Sequence, residues 1–383
     1  MVVTYEIHAM QIDRPDWLAG LRQAVAAELR AIGMHKSVIV DVTETAPSAG
    51  SGPAVGVVLV GPATRIDPDI AVAIATALAD GRVIVPVVDD LANFAGQVPL
   101  LLSPYNGFEW SGEEPERRLA RFLLEELGIE DRERRVFLSH KREDGLGAAE
   151  QLHDALTRHR FAPFIDRFAI PLGADVQAHI ADALERYAFL LILETPQAHL
   201  SEWVYDEFDY ALSHTMGVLI VQWPGNPTLI PGSPGVPRLV LGASDLTTDD
   251  HGYDVLTPEA LDRLVREVEA AHAHGIVRRR RMLLRNVEEA ATSAGATCIP
   301  LKDWSLDVSA PRGRSIVGVA ARLPAAADLQ RLDEAREQLD PAADALLVHA
   351  TRHLRSGARH HLDWVTGSRN LVLLPDNAIG AYW

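Results

Sequence analysis

Short runs of β-branched and aliphatic residues, separated by stretches whose apolar positions recur every three or four residues, set the plan of this chain. In the first third the runs are Lys36 to Val42, Val55 to Val60 and Arg82 to Val88. They are strand-sized and apolar almost throughout, as expected of strands covered on both faces in a parallel sheet. Leu18, Leu21, Val25, Leu29 and Ile32 share one face of a helix predicted over Trp17 to Ile32. Ser48 to Pro53 reads as a loop, and Ser111-Gly-Glu-Glu-Pro115 precedes a helix that delivers the chain to Arg135. Residues 1–130 are therefore expected to form an α/β domain.

The alternation then repeats. Arg135 to Ser139 is a short buried strand that breaks into a charged loop, His140 to Gly145, before a helix from about Leu146 to Arg160. Tyr187 to Leu193 and Met216 to Trp223 are further strands, and the helix between them carries Trp203 and Glu207. Four residues apart, these two point the same way on a helix and offer a carboxylate beside an aromatic ring. Val55 to Val60, a helix, and Arg82 to Val88 mirror this unit. When Ala71 to Leu78 is laid on Tyr205 to Leu212, Ala73 falls where Glu207 stands. The first domain thus has the plan without the carboxylate.

Beyond a helix predicted over Pro258 to His274, strands are expected at Ala296 to Leu301, Ser315 to Ala320, Ala345 to His349 and Asn370 to Pro375. Helices are expected around Ala325 to Leu339 and Ser356 to Trp364. Residues 278–383 read either as a third, more eroded copy of the plan, with Leu362 near the carboxylate position, or as a sensor module in which Arg312, Arg314, Arg352 and Arg355 meet an anionic signal.

Composition narrows the class. A chain of 383 residues, 48% hydrophobic and 23% charged, has a soluble globular make-up sufficient for two or three domains. Its longest apolar runs fall far short of a membrane span, and Met1 to Ile7 lacks the basic-then-apolar order of a secretion signal. The single cysteine, Cys298, excludes an internal disulfide and fits a reducing cytosol, so a cytoplasmic location is expected. The net charge of −17 is uneven: from Arg278 onward there are 15 Lys and Arg against 12 Asp and Glu, leaving 21 against 41 before it. An acidic body argues against nucleic-acid binding. Arg278 to Arg281 opens a helix and reads as a solvated junction rather than a phosphate site. His349, His353, His360 and His361 lack further ligands at metal-site spacing, so no metal is expected and a surface reading is preferred. No Gly-x-Gly-x-x-Gly, Walker-type or Gly-x-Ser-x-Gly motif occurs, which removes the usual support for dehydrogenase, ATPase and lipase-like chemistry.

Five segments in order resemble one family. Val136-Phe-Leu-Ser-His-Lys-Arg142, Phe161-Ala-Pro-Phe-Ile-Asp166, Ile170-Pro-Leu-Gly173, Tyr187 to Glu194 and Ser201-x-Trp-Val-x-x-Glu207 are similar to the first strand, second strand, following loop, third strand and NAD-cleaving motif of Toll/interleukin-1 receptor (TIR) domains. The resemblance covers about Glu133 to Gly275. It implies tandem flavodoxin-like, TIR-type parallel sheets with flanking helices, the middle domain, 133–277, being the better match. It further implies an NAD glycohydrolase, a bacterial antiphage effector activated by assembly, that converts NAD to nicotinamide and ADP-ribose or a cyclic product. NAD is then a substrate, not a cofactor. The alternative in the same family is a non-enzymatic adaptor acting through TIR–TIR contacts.

Glu207 is the expected catalytic carboxylate. Leaving-group departure from the ribose has oxocarbenium character, and a carboxylate beneath it holds the hydroxyls and stabilises the developing charge. Trp203 either walls the nicotinamide or anchors its helix on the sheet. Lys141 and Arg142 either meet the pyrophosphate or stay solvated. Ser139 either donates to the substrate or caps the loop. The Ile170 to Gly173 loop is a lid or an assembly surface. Expected partners are NAD, further copies of the chain and a small-molecule or protein activator, with no membrane.

Overall fold

The computed structural model divides the chain into two units, Met1–Arg132 and Glu133–Trp383. It describes residues 3–32, 34–36, 38–45, 54–60, 67–79, 82–129, 134–165, 176–301, 304–350, 354, 356–367 and 370–383. The Ile170 to Gly173 loop, Arg352, His353 and Arg355 lie outside the described residues.

In the first unit the order is β1 (Val3–Met10), α1 (Pro15–Ala31), β2 (Val38–Thr43), β3 (Ala54–Leu59), α2 (Pro68–Ala79), β4 (Ile84–Val88), α3 (Phe94–Gln97), β5 (Phe108–Glu109) and α4 (Pro115–Glu126). The five strands pair in parallel in the order β2-β1-β3-β4-β5. Sequence pattern missed β1, although it is an inner strand. Glu6 and His8 interrupt its apolar run, but His8 is buried and its ring nitrogens meet the Thr45 carbonyl at 2.9 Å and the Glu6 carboxylate at 3.1 Å. Paired in this way, a buried imidazole costs little.

The second unit begins with β6 (Arg135–Ser139), α5 (Arg142–Arg158), β7 (Ala162–Ile165), α6 (Val176–Tyr187), β8 (Phe189–Glu194), α7 (Glu202–Ser213), β9 (Gly217–Gln222) and β10 (Arg238–Val240). Its sheet, β10-β9-β8-β6-β7, is again all parallel. Counted along the chain, the second, first, third, fourth and fifth strands lie side by side in both sheets, so the repeat seen in the sequence extends to topology. The helices agree as well: Ile74 and Ala77 are buried on α2, as are Phe208 and Ala211 on α7. Ala73 thereby keeps its register with Glu207. The copies differ in the length of chain between their second and third strands, 44–53 in the first and 166–188 in the second.

Side chains alternate strictly across this second sheet. Val136, Leu138, Leu191 and Leu193 face α5 and the later helix α8, whereas Phe137, Leu190 and Ile192 face α6 and α7. A short antiparallel pair, β11 (Leu246–Thr248) and β12 (Asp254–Leu256), then leads into α8 (Pro258–Ser293). Thr257 caps α8, accepting from the Ala260 N–H at 3.4 Å, with Pro258 in the first turn.

At 36 residues, α8 runs well past the predicted end at His274 and crosses the expected domain junction at 277/278 without a break. Gly275 is not a stop. A Cβ there would lie 2.8 Å from Gly217 Cα, so the missing side chain lets the helix touch the start of β9.

The chain closes with β13 (Thr297–Pro300), β14 (Ser305–Ala310), β15 (Gly313–Ala320), α9 (Ala326–Leu339), β16 (Asp344–His349), α10 (Ser356–Thr366) and β17 (Leu371–Pro375). Here the sheet is mixed: β13, β14 and β15 pair antiparallel, β15, β16 and β17 parallel, in chain order. The expectation of a third copy is therefore overturned. Only Pro311 and Arg312 separate β14 from β15, and so short a link permits an antiparallel pair alone. Leu362, placed near a carboxylate position, is core packing on α10. No described helix is long and apolar enough to cross a membrane.

Candidate functional site

In the middle sheet every strand points the same way, so the ends of β6 and β8 and the start of α7 share the carboxyl edge, where open α/β sheets form ligand crevices. Ser139 closes β6 and is 3% exposed; its hydroxyl has no hydrogen-bond partner among the described residues. By strand alternation it shares the α6/α7 face with Phe137.

Glu207 sits on the buried face of α7, between Val204, Phe208 and Ala211, and is 5% exposed. Trp203 is 50% exposed, so the two do not form one shared surface. Each residue turns the helix by about 100°, and Trp203 belongs to the first turn, at the sheet edge, whereas Glu207 lies one turn further in. Ser201 starts the helix, its hydroxyl accepting from the Val204 N–H at 3.4 Å.

The charged loop is shorter than predicted. Helix α5 starts at Arg142, with Lys141 at the capping position and Glu143 and Asp144 in the first turn. A charged first turn is indistinguishable from a loop by hydropathy, yet carboxylates there favour the helix dipole. Lys141 stands 3.8 Å from the Glu143 carboxylate and is largely covered, while Arg142 is exposed. Both therefore occur where backbone N–H groups already favour an anion.

Two residues that sequence reasoning did not single out tie this edge together. Asp144 accepts from Thr195 Oγ1 at 2.7 Å and from the Gln197 N–H at 2.9 Å, joining the first turn of α5 to the β8–α7 connection. Glu194, at the end of β8 and 0% exposed, accepts from the Ile230 N–H at 3.0 Å and from Arg238 Nη2 at 3.1 Å, so 230–238 is gathered over the same face. A lone acid ending an apolar strand was the available signal for Glu194.

Several expected surface features prove to be internal links. Arg278 donates to the Met216 carbonyl at 3.2 Å, Arg279 is buried against Glu185, and Arg280 lies 5.6 Å over the Trp304 ring. Burial lowers the Arg281 guanidinium pKa. The run is thus not a solvated junction. Arg314, proposed to meet an anion, is held by Asp307 at 2.9 and 2.8 Å and by Asp340 at 3.2 Å; its hydrogen bonds to Asp307, foremost, push its pKa up. Arg312 Nη1 donates to the Tyr382 carbonyl at 3.3 Å. His349 is buried rather than on the surface, while His360 and His361 are exposed. Among the described residues no group of His, Cys, Asp and Glu is arranged to hold a metal ion.

Comparison with known proteins gives one sequence-family match: residues 136–256 match the family model described as TIR domain. No curated protein matches the chain. Among solved structures, the chain is similar to the TIR domains of the activated Roq1 resistosome directly recognizing the pathogen effector XopQ, at 16% identity over 37% of this chain and 82% of that one, with a TM-score of 0.23. It is also similar to a fatty acid ABC transporter substrate-binding protein from Thermomonospora curvata, at 11% identity over 82% of this chain and 91% of that one, with a TM-score of 0.21.

Proposed function

Residues 136–256 are a TIR domain, and from that premise we propose that the chain is an NAD glycohydrolase with Glu207 as its catalytic carboxylate. One observation carries the reading: Glu207 is an acid on a helix face otherwise made of Val204, Phe208 and Ala211. Burying a carboxylate carries a desolvation cost even where it is partnered, and a merely structural position is met by an apolar residue. The first unit supports this, since its equivalent helix has Ala73 there and still packs on a sheet of the same order.

In the proposed reaction the bond between ribose C1′ and nicotinamide breaks, and its electron pair neutralises the pyridinium ring. Glu207 stabilises the cation left on the ribose until water, or the adenine of the same molecule, captures C1′. Ser139 hydrogen-bonds the substrate from the end of β6. Lys141 and Arg142 at the α5 N-terminus hold the pyrophosphate. Trp203, at the rim, walls the nicotinamide.

A bacterial antiphage effector that drains NAD when assembled is the biological setting we propose, with NAD as substrate and further copies of the chain as partners. Leu200, Tyr205 and Leu212 are exposed apolar residues on and beside α7 and support such contacts. The same residues favour the second reading, an adaptor without catalysis.

The test is nicotinamide release by the full chain across protein concentration, with Glu207→Gln as control. Substitution by the isosteric amide should lower kcat by on the order of a hundredfold or more, as for loss of a positioned electrostatic stabiliser, and leave the melting temperature close to that of the parent. Near-full turnover by Glu207→Gln removes it as the catalytic group. Absence of nicotinamide release at every concentration favours the adaptor.

A further inference from the structure

Arg279 is the largest fully buried side chain among the described residues, at 1% exposure. It lies on α8, beyond the family-matched residues 136–256. Its partner is Glu185 of α6, 0% exposed, whose Oε2 accepts from Arg279 Nη2 at 3.1 Å. The other oxygen, Oε1, accepts from the Tyr210 hydroxyl at 3.0 Å. The Glu185 carbonyl accepts the N–H of Leu323, just past β15, at 2.9 Å. A single buried glutamate thus joins α6, α7, α8 and the segment that follows β15.

Tyr210 is three residues beyond Glu207 on α7 and therefore its neighbour on the helix surface. Nearby links reach the end of the same helix from α8: Arg278 Nη2 on the Met216 carbonyl at 3.2 Å, and Thr215 Oγ1 on Met282 Sδ at 3.4 Å. Stability alone does not account for the charge. Apolar residues of similar volume would cost less than a buried ion pair, and Arg279 Nε and Nη1 have no partner among the described residues. Direction is what the pair adds. Val204, Phe208 and Ala211 hold α7 on the sheet by non-directional packing, which tolerates small slides and rotations. A hydrogen bond does not.

We propose that Arg279, acting through Glu185 and Tyr210, is a positioning residue for Glu207, so that NAD cleavage depends on a contact supplied from outside the TIR domain. The proposal rests on the NAD-cleavage reading, and a displacement of about 1 Å at a catalytic group is enough to cost on the order of a hundredfold in rate.

The test uses the full chain. Tyr210→Phe removes one hydroxyl while keeping the ring that stacks on His214 at 3.9 Å. It should lower kcat about tenfold, leave the KM for NAD within about twofold, and lower the melting temperature by about a few degrees, since one oxygen of the buried Glu185 loses its donor. The double variant Arg279→Met with Glu185→Gln removes both charges, so it should fold and show the same kcat loss. Arg279→Lys, which keeps the charge, should retain more activity than Arg279→Met. Amide hydrogen exchange supplies a readout independent of catalysis: the amides of Glu207 to Ala211 should exchange about tenfold faster in Tyr210→Phe and in the double variant, with β14 to β16 unchanged. Parental kcat or parental α7 exchange in either variant overturns the proposal. If the parent itself releases no nicotinamide, the cleavage reading falls, and α7 exchange alone decides the coupling: faster exchange upholds it and unchanged exchange overturns it.

Discussion

Replacing Gly275 by alanine sets two physical effects against each other. In an exposed helix interior the change stabilises by about 1 kcal/mol through propensity. At this position, however, the new Cβ would stand 2.8 Å from Gly217 Cα and 3.5 Å from both Gly217 N and Phe189 Cδ2. Both sides of the tightest contact are backbone, one in a 36-residue helix and the other at the start of a buried strand, so no flexible side chain can swing away. Helix and strand must separate by about 1 Å, and overpacking of that kind costs typically 1–3 kcal/mol. Net of propensity, Gly275→Ala should destabilise the second unit by roughly 1 kcal/mol, a fall of about 2–4 °C in melting temperature for a unit of this size. Gly275→Leu should cost considerably more. Calorimetry of the purified full chain, with circular dichroism to check helix content, measures the effect. A rise in melting temperature on Gly275→Ala would mean that propensity wins, and the close packing of α8 on β9 would be refuted.

Ending the chain after Val277 removes Arg279 and leaves Glu185 buried without its cation, a loss of roughly 3–5 kcal/mol out of the 5–15 kcal/mol typical of a domain. The truncated chain should be insoluble or inactive in nicotinamide release; a soluble, folded and fully active product would contradict this. The Tyr382 phenol, pushed up to about 12 by burial and by donation to Asp344 at 2.9 Å, holds its proton more tightly in the folded chain than the ordinary value of 10.0 allows. That contribution is complete below pH 10 and is lost as pH rises from 10.0 towards about 12, so stability should decline across this window. Tyr382→Phe should flatten the decline in melts between pH 9 and 12, and an unchanged slope would remove Tyr382 as its source.

Much of this organisation is written locally. Buried parallel strands need apolar residues on both faces, so β3, β4, β8 and β9 stand out as uninterrupted runs, and the repeat of such runs with a helix between them exposes the tandem plan and the Ala73–Glu207 correspondence. Ser139, Lys141, Arg142, Trp203 and Glu207 could be named because the motifs that hold them are contiguous. Tertiary structure decided what depends on distant partners. Glu6 and His8 disguised β1 because the burial of His8 is made tolerable by Thr45, far along the chain. Gly275 looked like a helix end because its reason, the backbone of Gly217, lies 58 residues earlier. The arginine run looked solvated because hydropathy counts charges singly, whereas Glu185, Met216 and Trp304 receive them across the fold. In the last sheet β14 itself was not among the expected strands, and the two-residue link between β14 and β15, rather than the composition of either strand, makes them antiparallel.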